Sequence, residues 1–150
     1  MRPLVLLVTA LTVACTDRLP VGPIPSDLLS SPETISVNGT PVVMNDVFPT
    51  TDGRRGVGVL GILQTADGTT LNGASVGTLW LIHGDQAWTT TVTRVPDPLP
   101  PYVIEKFVTG EGPKWSLGDS VDVVVEVRDS SGNTQRLRSP RTSISYVDPP

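Results

Sequence analysis

The sequence predicts an all-β fold, an antiparallel β-sandwich, preceded by an N-terminal signal sequence and a proline-rich tether. Three observations predict it. Short runs of β-branched residues are divided by turn pairs: Asn38-Gly39, Asp52-Gly53, Asp67-Gly68, Asn72-Gly73, Gly84-Asp85 and Gly132-Asn133. Almost no helical periodicity follows residue 33. A chain of 150 residues also holds one domain of ordinary size, with a real but thin core.

The N-terminus has the parts of an export signal. Arg2 supplies the positive charge, Leu4 to Ala14 form an apolar run of eleven residues, and the small Ala14 precedes Cys15. Eleven residues are too few for a membrane-spanning helix, which needs about 20. Cys15 is the only cysteine, so no intramolecular disulfide is possible, and a lone thiol in an exported chain needs a reason. The segment Leu11-Thr12-Val13-Ala14-Cys15 resembles the lipobox of bacterial lipoproteins, with Thr12 where an aliphatic residue is usual. The resemblance implies that residues 1–14 are removed and that Cys15 becomes the lipidated first residue, carrying palmitate-type acyl chains in the cell envelope. Thr16 rather than Asp follows the cysteine, which by the same resemblance makes the outer membrane the default where the organism has one. The competing reading is ordinary signal-peptidase cleavage after Ala14, leaving a free thiol.

Loss of Arg2 with residues 1–14 leaves ten Lys and Arg against fifteen Asp and Glu, a formal −5 in place of −4. That balance argues against a nucleic-acid partner and against adhesion to anionic lipid by charge. Membrane attachment then falls to the acyl chains on Cys15, two or more of which hold stably.

The stretch 16–33 contains Pro20, Pro23, Pro25 and Pro32 and reads as an extended tether. As polyproline II, its roughly eighteen residues reach about 55 Å. Leu28 and Leu29 could instead make a short turn that docks on the domain. The domain itself covers 34–150, with strands expected at 34–37, 41–48, 57–64, 77–83, 87–95, 102–109, 120–128, 134–138 and 142–147.

Within that frame, Thr78-Leu79-Trp80-Leu81-Ile82 is apolar on both faces, as a central covered strand would be. A two-residue Gly84-Asp85 turn would pair His83 with Gln86 and Leu81 with Trp88. The stretch Pro96-Asp97-Pro98-Leu99-Pro100-Pro101 cannot pair in a sheet and reads as a stiff crossover. Val121, Val123, Val125 and Val127 share the inward face of a half-buried strand, with Asp122, Val124, Glu126 and Arg128 outward. The loop Asp129-Ser130-Ser131-Gly132-Asn133 fits a three-residue hairpin with Gly132 left-handed, which sets Val125 opposite Leu137 and Glu126 opposite Arg136.

Trp115-Ser116-Leu117-Gly118-Asp119-Ser120-Val121, the alternating valines and the polar turn after them resemble the late strands of fibronectin-type-III and related immunoglobulin-like domains. The resemblance covers about twenty residues and implies an immunoglobulin-like sandwich. Val121 stands where that family commonly has a tyrosine.

Few residues suggest chemistry. Gly73-Ala74-Ser75-Val76-Gly77 matches the G-x-S-x-G nucleophile elbow, but a strand follows it and no acid lies between Ser75 and His83, the only histidine. His83 has no imidazole or thiolate neighbour for a metal site. The Asp129–Asn133 loop lacks the acids of an EF-hand. Trp80, Trp88, Tyr102 and Trp115 could form a sugar-stacking platform, although the two-residue turn would put Trp80 and Trp88 on opposite faces. Arg128, Arg136, Arg138 and Arg141 form a locally basic face, a solvated surface first and an anionic-partner site second. The expected role is a non-catalytic binding or structural module without cofactor or metal, presented to an envelope protein or a glycan. A carbohydrate-binding module and a small serine hydrolase using Ser75 are the alternatives.

Overall fold

The computed structural model describes residues 22–148, so the signal sequence, Cys15 and the first part of the tether lie outside the described residues. One helix, α1 (Pro25–Leu29), precedes eleven strands: β1 (Ile35–Val37), β2 (Thr40–Thr51), β3 (Gly58–Thr65), β4 (Ser75–His83), β5 (Gln86–Thr91), β6 (Thr93–Arg94), β7 (Val103–Val108), β8 (Ser120–Arg128), β9 (Thr134–Arg138), β10 (Thr142–Ser143) and β11 (Ser145–Tyr146). They form an antiparallel β-sandwich. The first sheet runs β1-β2-β3-β7-β6, and β11 joins β2 in parallel. The second runs β5-β4-β8, with β9 and then β10 along β8. The orders β2-β3-β7-β6 and β5-β4-β8-β9 correspond to A-B-E-D and C′-C-F-G of an immunoglobulin-like sandwich.

Alternation drives the packing. Val121, Val123, Val125 and Val127 point between the sheets and meet Leu63, Leu79, Leu81 and Phe107 there, each at most 2% exposed. Gly61, paired with Phe107 on the neighbouring strand, leaves room for that ring to lie across β3, because a Cβ on it would collide with the Phe107 ring.

Both hairpin registers follow their turns. Gly84 has φ 59° and His83 pairs with Gln86, so Leu81 faces Trp88. Gly132 has φ 87°, the Asp129 N–H donates to the Asn133 carbonyl at 2.9 Å, and Val125 faces Leu137, which is fully buried.

Three readings need correction. Residues 87–95 are not one strand: β5 lies in the second sheet and β6 in the first, and the chain changes sheets at Val92, whose side chain packs on the core. Pro96–Pro101 is therefore no crossover. It closes the hairpin between the neighbours β6 and β7, where lack of N–H donors ends pairing beyond Val95.

β8 is not half-buried either. Val124 is fully buried and Asp122 is 3% exposed on the outer face. The cover comes from α1: Leu28 packs on Trp80, Ile82 and Val124. Of the two readings of Leu28-Leu29, the docked turn is therefore the one adopted, and from Pro25 onward the proline-rich stretch is part of the packed domain. Arg138 fastens it. Its N–H donates to the Pro32 carbonyl at 2.8 Å, its Nε to the Ser31 carbonyl at 3.3 Å, and its Nη2 lies 3.0 Å from Glu33 Oε1.

Candidate functional site

At one end of the sandwich, the loop 70–74, the start of β4, the end of β6, β7 and the loop 97–101 line an open cavity of about 560 Å³. Asn72, Ser75, Arg94, Asp97, Ile104 and Glu105 are among its walls. Alternation along β7 turns Glu105 inward with Phe107, and it is 6% exposed. Beside it, the register of β4 against β8 shifts between Val76 and Leu79. The Val76 N–H next to this irregularity donates to Glu105 Oε2 at 2.6 Å, which stitches the two sheets together. Burial pushes the Glu105 carboxyl above the usual range; the Val76 N–H and the charge of Arg94 act in the opposite direction. Oε1 has no hydrogen-bond partner among the described residues and is one of the free acceptors of the site. At the rim, Lys106 Nζ pairs with Asp97 Oδ2 at 2.7 Å.

Ser75 borders this cavity, but His83 does not. The two occupy opposite ends of β4, a separation of about 25 Å at ~3.3 Å per residue. His83 instead packs on Trp115, ring centroids 5.1 Å apart, with Nε2 3.6 Å from Asp119 Oδ2. A serine–histidine pair is not assembled, and the residue after Ser75 continues a strand.

The aromatic residues divide in the same way. Trp80 lies beneath α1 on the outer face, 6% exposed, with Arg136 Cζ 5.4 Å from its ring centroid. Trp88 packs inward against the main core, and Trp115 donates from Nε1 to Gln86 Oε1 at 3.3 Å. Trp80 therefore shares no stacking platform with Trp88 or Trp115, which both pack on the main core. Tyr102, 43% exposed, belongs to the loop preceding β7.

The four arginines do share the outer side of the second sheet, but most are engaged. Arg141 grips Asp122 Oδ2 through Nε at 3.0 Å and Nη2 at 2.8 Å, and Arg138 Nη1 lies 3.6 Å from Asp122 Oδ1. Arg136 stacks on Trp80, and Arg128 Nη2 lies 3.8 Å from Glu126 Oε1. The carboxylate of Asp129 is filled by its own turn, accepting from the Ser131 and Asn133 N–H groups and from Asn133 Nδ2. The Asn133 side-chain bond, with those backbone bonds, holds its pKa below the usual carboxylate value.

Among the described residues no three His, Cys, Asp or Glu side chains gather for a metal ion, and no helix is long and apolar enough to cross a membrane. Sequence reasoning missed Glu105, although a signal was present: in Val103-Ile104-Glu105-Lys106-Phe107 it shares the parity of Phe107, the one acid on an otherwise apolar inward row. The chain matches no protein family, and no curated protein or solved structure proves similar to it.

Proposed function

We propose that this chain is a lipid-anchored cell-envelope protein whose immunoglobulin-like sandwich serves as a non-catalytic binding or structural module. One observation carries the reading: the only cysteine stands directly after the apolar run of an export signal, ten residues ahead of the first residue of α1. With α1 docked, residues 16–24 are the whole tether. At about 3.1 Å per residue they reach roughly 28 Å, so the module works close to its membrane. The experiment is metabolic labelling with a fatty acid. The wild-type chain takes up label and Cys15→Ser does not; equal labelling of both removes the anchor.

A second reading is supported by Glu105. A buried carboxyl with one free oxygen, in a cavity that also holds Asn72 and Arg94, suits a small polar ligand bearing hydroxyl or amine donors, such as a glycan residue. Retention on a glycan array that disappears in Glu105→Leu would favour it over a purely structural module.

A further inference from the structure

Sheet edges expose backbone donors and acceptors, and proteins blunt them with shortness, charge, proline or a cover. Most edges of this sandwich are blunted in these ways. β6, β10 and β11 have two residues each and β1 has three. β9 carries Arg136 and Arg138, and the Arg138 N–H is already taken by Pro32. β5 is different: its six residues, Gln-Ala-Trp-Thr-Thr-Thr, contain neither charge nor proline.

The hairpin fixes which β5 groups face outward. A two-residue loop makes His83 and Gln86 a hydrogen-bonded pair, and the Val92 N–H bonds to the Gly77 carbonyl at 3.3 Å in the same phase. Pairs alternate along an antiparallel ladder. Gln86, Trp88 and Thr90 therefore bond to β4, while the N–H and C=O groups of Ala87, Thr89 and Thr91 point away from it. Among these, only the Thr91 carbonyl has a partner among the described residues, the Thr90 hydroxyl at 3.2 Å. The set is symmetric about Thr89.

We propose that this edge pairs with the same edge of a second copy, antiparallel about a two-fold axis through Thr89, joining the two second sheets into one. Thr89 then exchanges both bonds with its counterpart, and Ala87 pairs with Thr91 on each side. On the outer face the side chains that meet, Ala87, Thr89 and Thr91, are small or β-branched, Trp88 meets Thr90 on the inner face, and no charges meet across the axis, which suits a net-acidic chain. A two-fold axis of this kind stands perpendicular to the sheet, so both outer faces, each carrying its α1, lie on the same side. The segments that precede the two copies of α1 then lead to the same side of the joined sheet, as two copies anchored in one membrane require. This last argument rests on the anchor proposed above. A contact of one strand pair is smaller than a standard stable interface, so the pairing is weak in dilute solution and favoured where anchoring concentrates the copies.

Cysteine cross-linking tests the pairing. Hydrogen-bonded antiparallel partners have Cα atoms about 5.5 Å apart, within disulfide range. Thr89→Cys is made in the anchored chain and in a soluble Cys15→Ser chain at about 1 mM, with exposed Thr70→Cys as the control. Thr89→Cys is expected to give at least about fivefold more disulfide-linked dimer than the control in both settings. A third chain, Cys15→Ser with Thr89→Lys, places two cations at the axis and abolishes concentration-dependent sedimentation. Dimer no more abundant than in the control in both settings overturns the proposal, as does cross-linking to a different protein, which would make β5 a strand-addition site for a partner. Dimer in solution without enrichment on membranes keeps the pairing and removes only the anchor argument.

Discussion

On the outer face of the second sheet, Trp80, Ile82 and Val124 are each at most 6% exposed beneath Leu28. Across the sandwich, Phe48 on the first sheet is 48% exposed beside its partner Leu60, which in turn pairs with Val108. Both faces carry large apolar residues in register, yet only one is covered. The covered face also holds a charge: Asp122 is enclosed and neutralised by Arg138 and Arg141. An apolar row on a strand thus does not reveal whether it is covered. The cover is supplied by a segment far away in sequence.

The largest test of this contrast is Leu28→Ala, which removes the centre of the cover. It is expected to cost about 2–5 kcal/mol in urea unfolding, as for other fully buried leucines. A loss below about 0.5 kcal/mol would make the second sheet as tolerant of solvent as the first.

Asp122→Asn comes next. It keeps the shape but loses the charge-assisted bonds to Arg141 and the ion pair with Arg138, at a cost of about 1–3 kcal/mol. Both arginines keep access to solvent, so the larger penalty of a stranded buried charge does not arise. If the grip is specific, adding Arg141→Ala to Asp122→Asn changes the midpoint little further.

Glu105→Gln probes the space between the sheets. A carboxyl with a raised folded pKa lends stability that is complete below its unfolded value and is lost as pH rises through the folded one. The amide keeps an acceptor for the Val76 N–H without the buried charge. The variant should therefore melt at or above the wild type near pH 7, by up to roughly 1 kcal/mol, and the difference should vanish near pH 4. A gap that widens on acidification would reverse the assignment. Phe48→Ala, on the open face, is the smallest change, within about 0.5 kcal/mol of wild type. A larger loss would show that this face is also packed.

Strand positions and both hairpin registers were legible because each rests on local chemistry. Period-two valines define β8, and Gly84 and Gly132 at positive φ fix the turns. The exchange of sheets at Val92 was not legible, since no glycine or proline marks it and β-branched residues run straight through. α1 has five residues, too few for helical periodicity to register, and Pro25 with the prolines on either side of the helix suggests extension. Of the site, Ser75 and His83 were visible as types, but their separation depends on both lying on one strand. The pairing of Asp122 with Arg138 and Arg141 joins residues that alternation alone would leave in solvent.

The docking of α1 also sets an order of events. Ser31 and Arg138, which meet there, are 107 positions apart. A chain emerging N-terminus first presents residues 25–33 early, but the surface they rest on is built from β8 and β9 near its end. Loop closure over this span adds only a modest entropic cost, about 0.6 kcal/mol for each doubling of length, but it cannot happen before residue 138 is available. The first of the described segments to emerge thus settles late, and until then Trp80, Ile82 and Val124 stand open to whatever chaperone accompanies the chain.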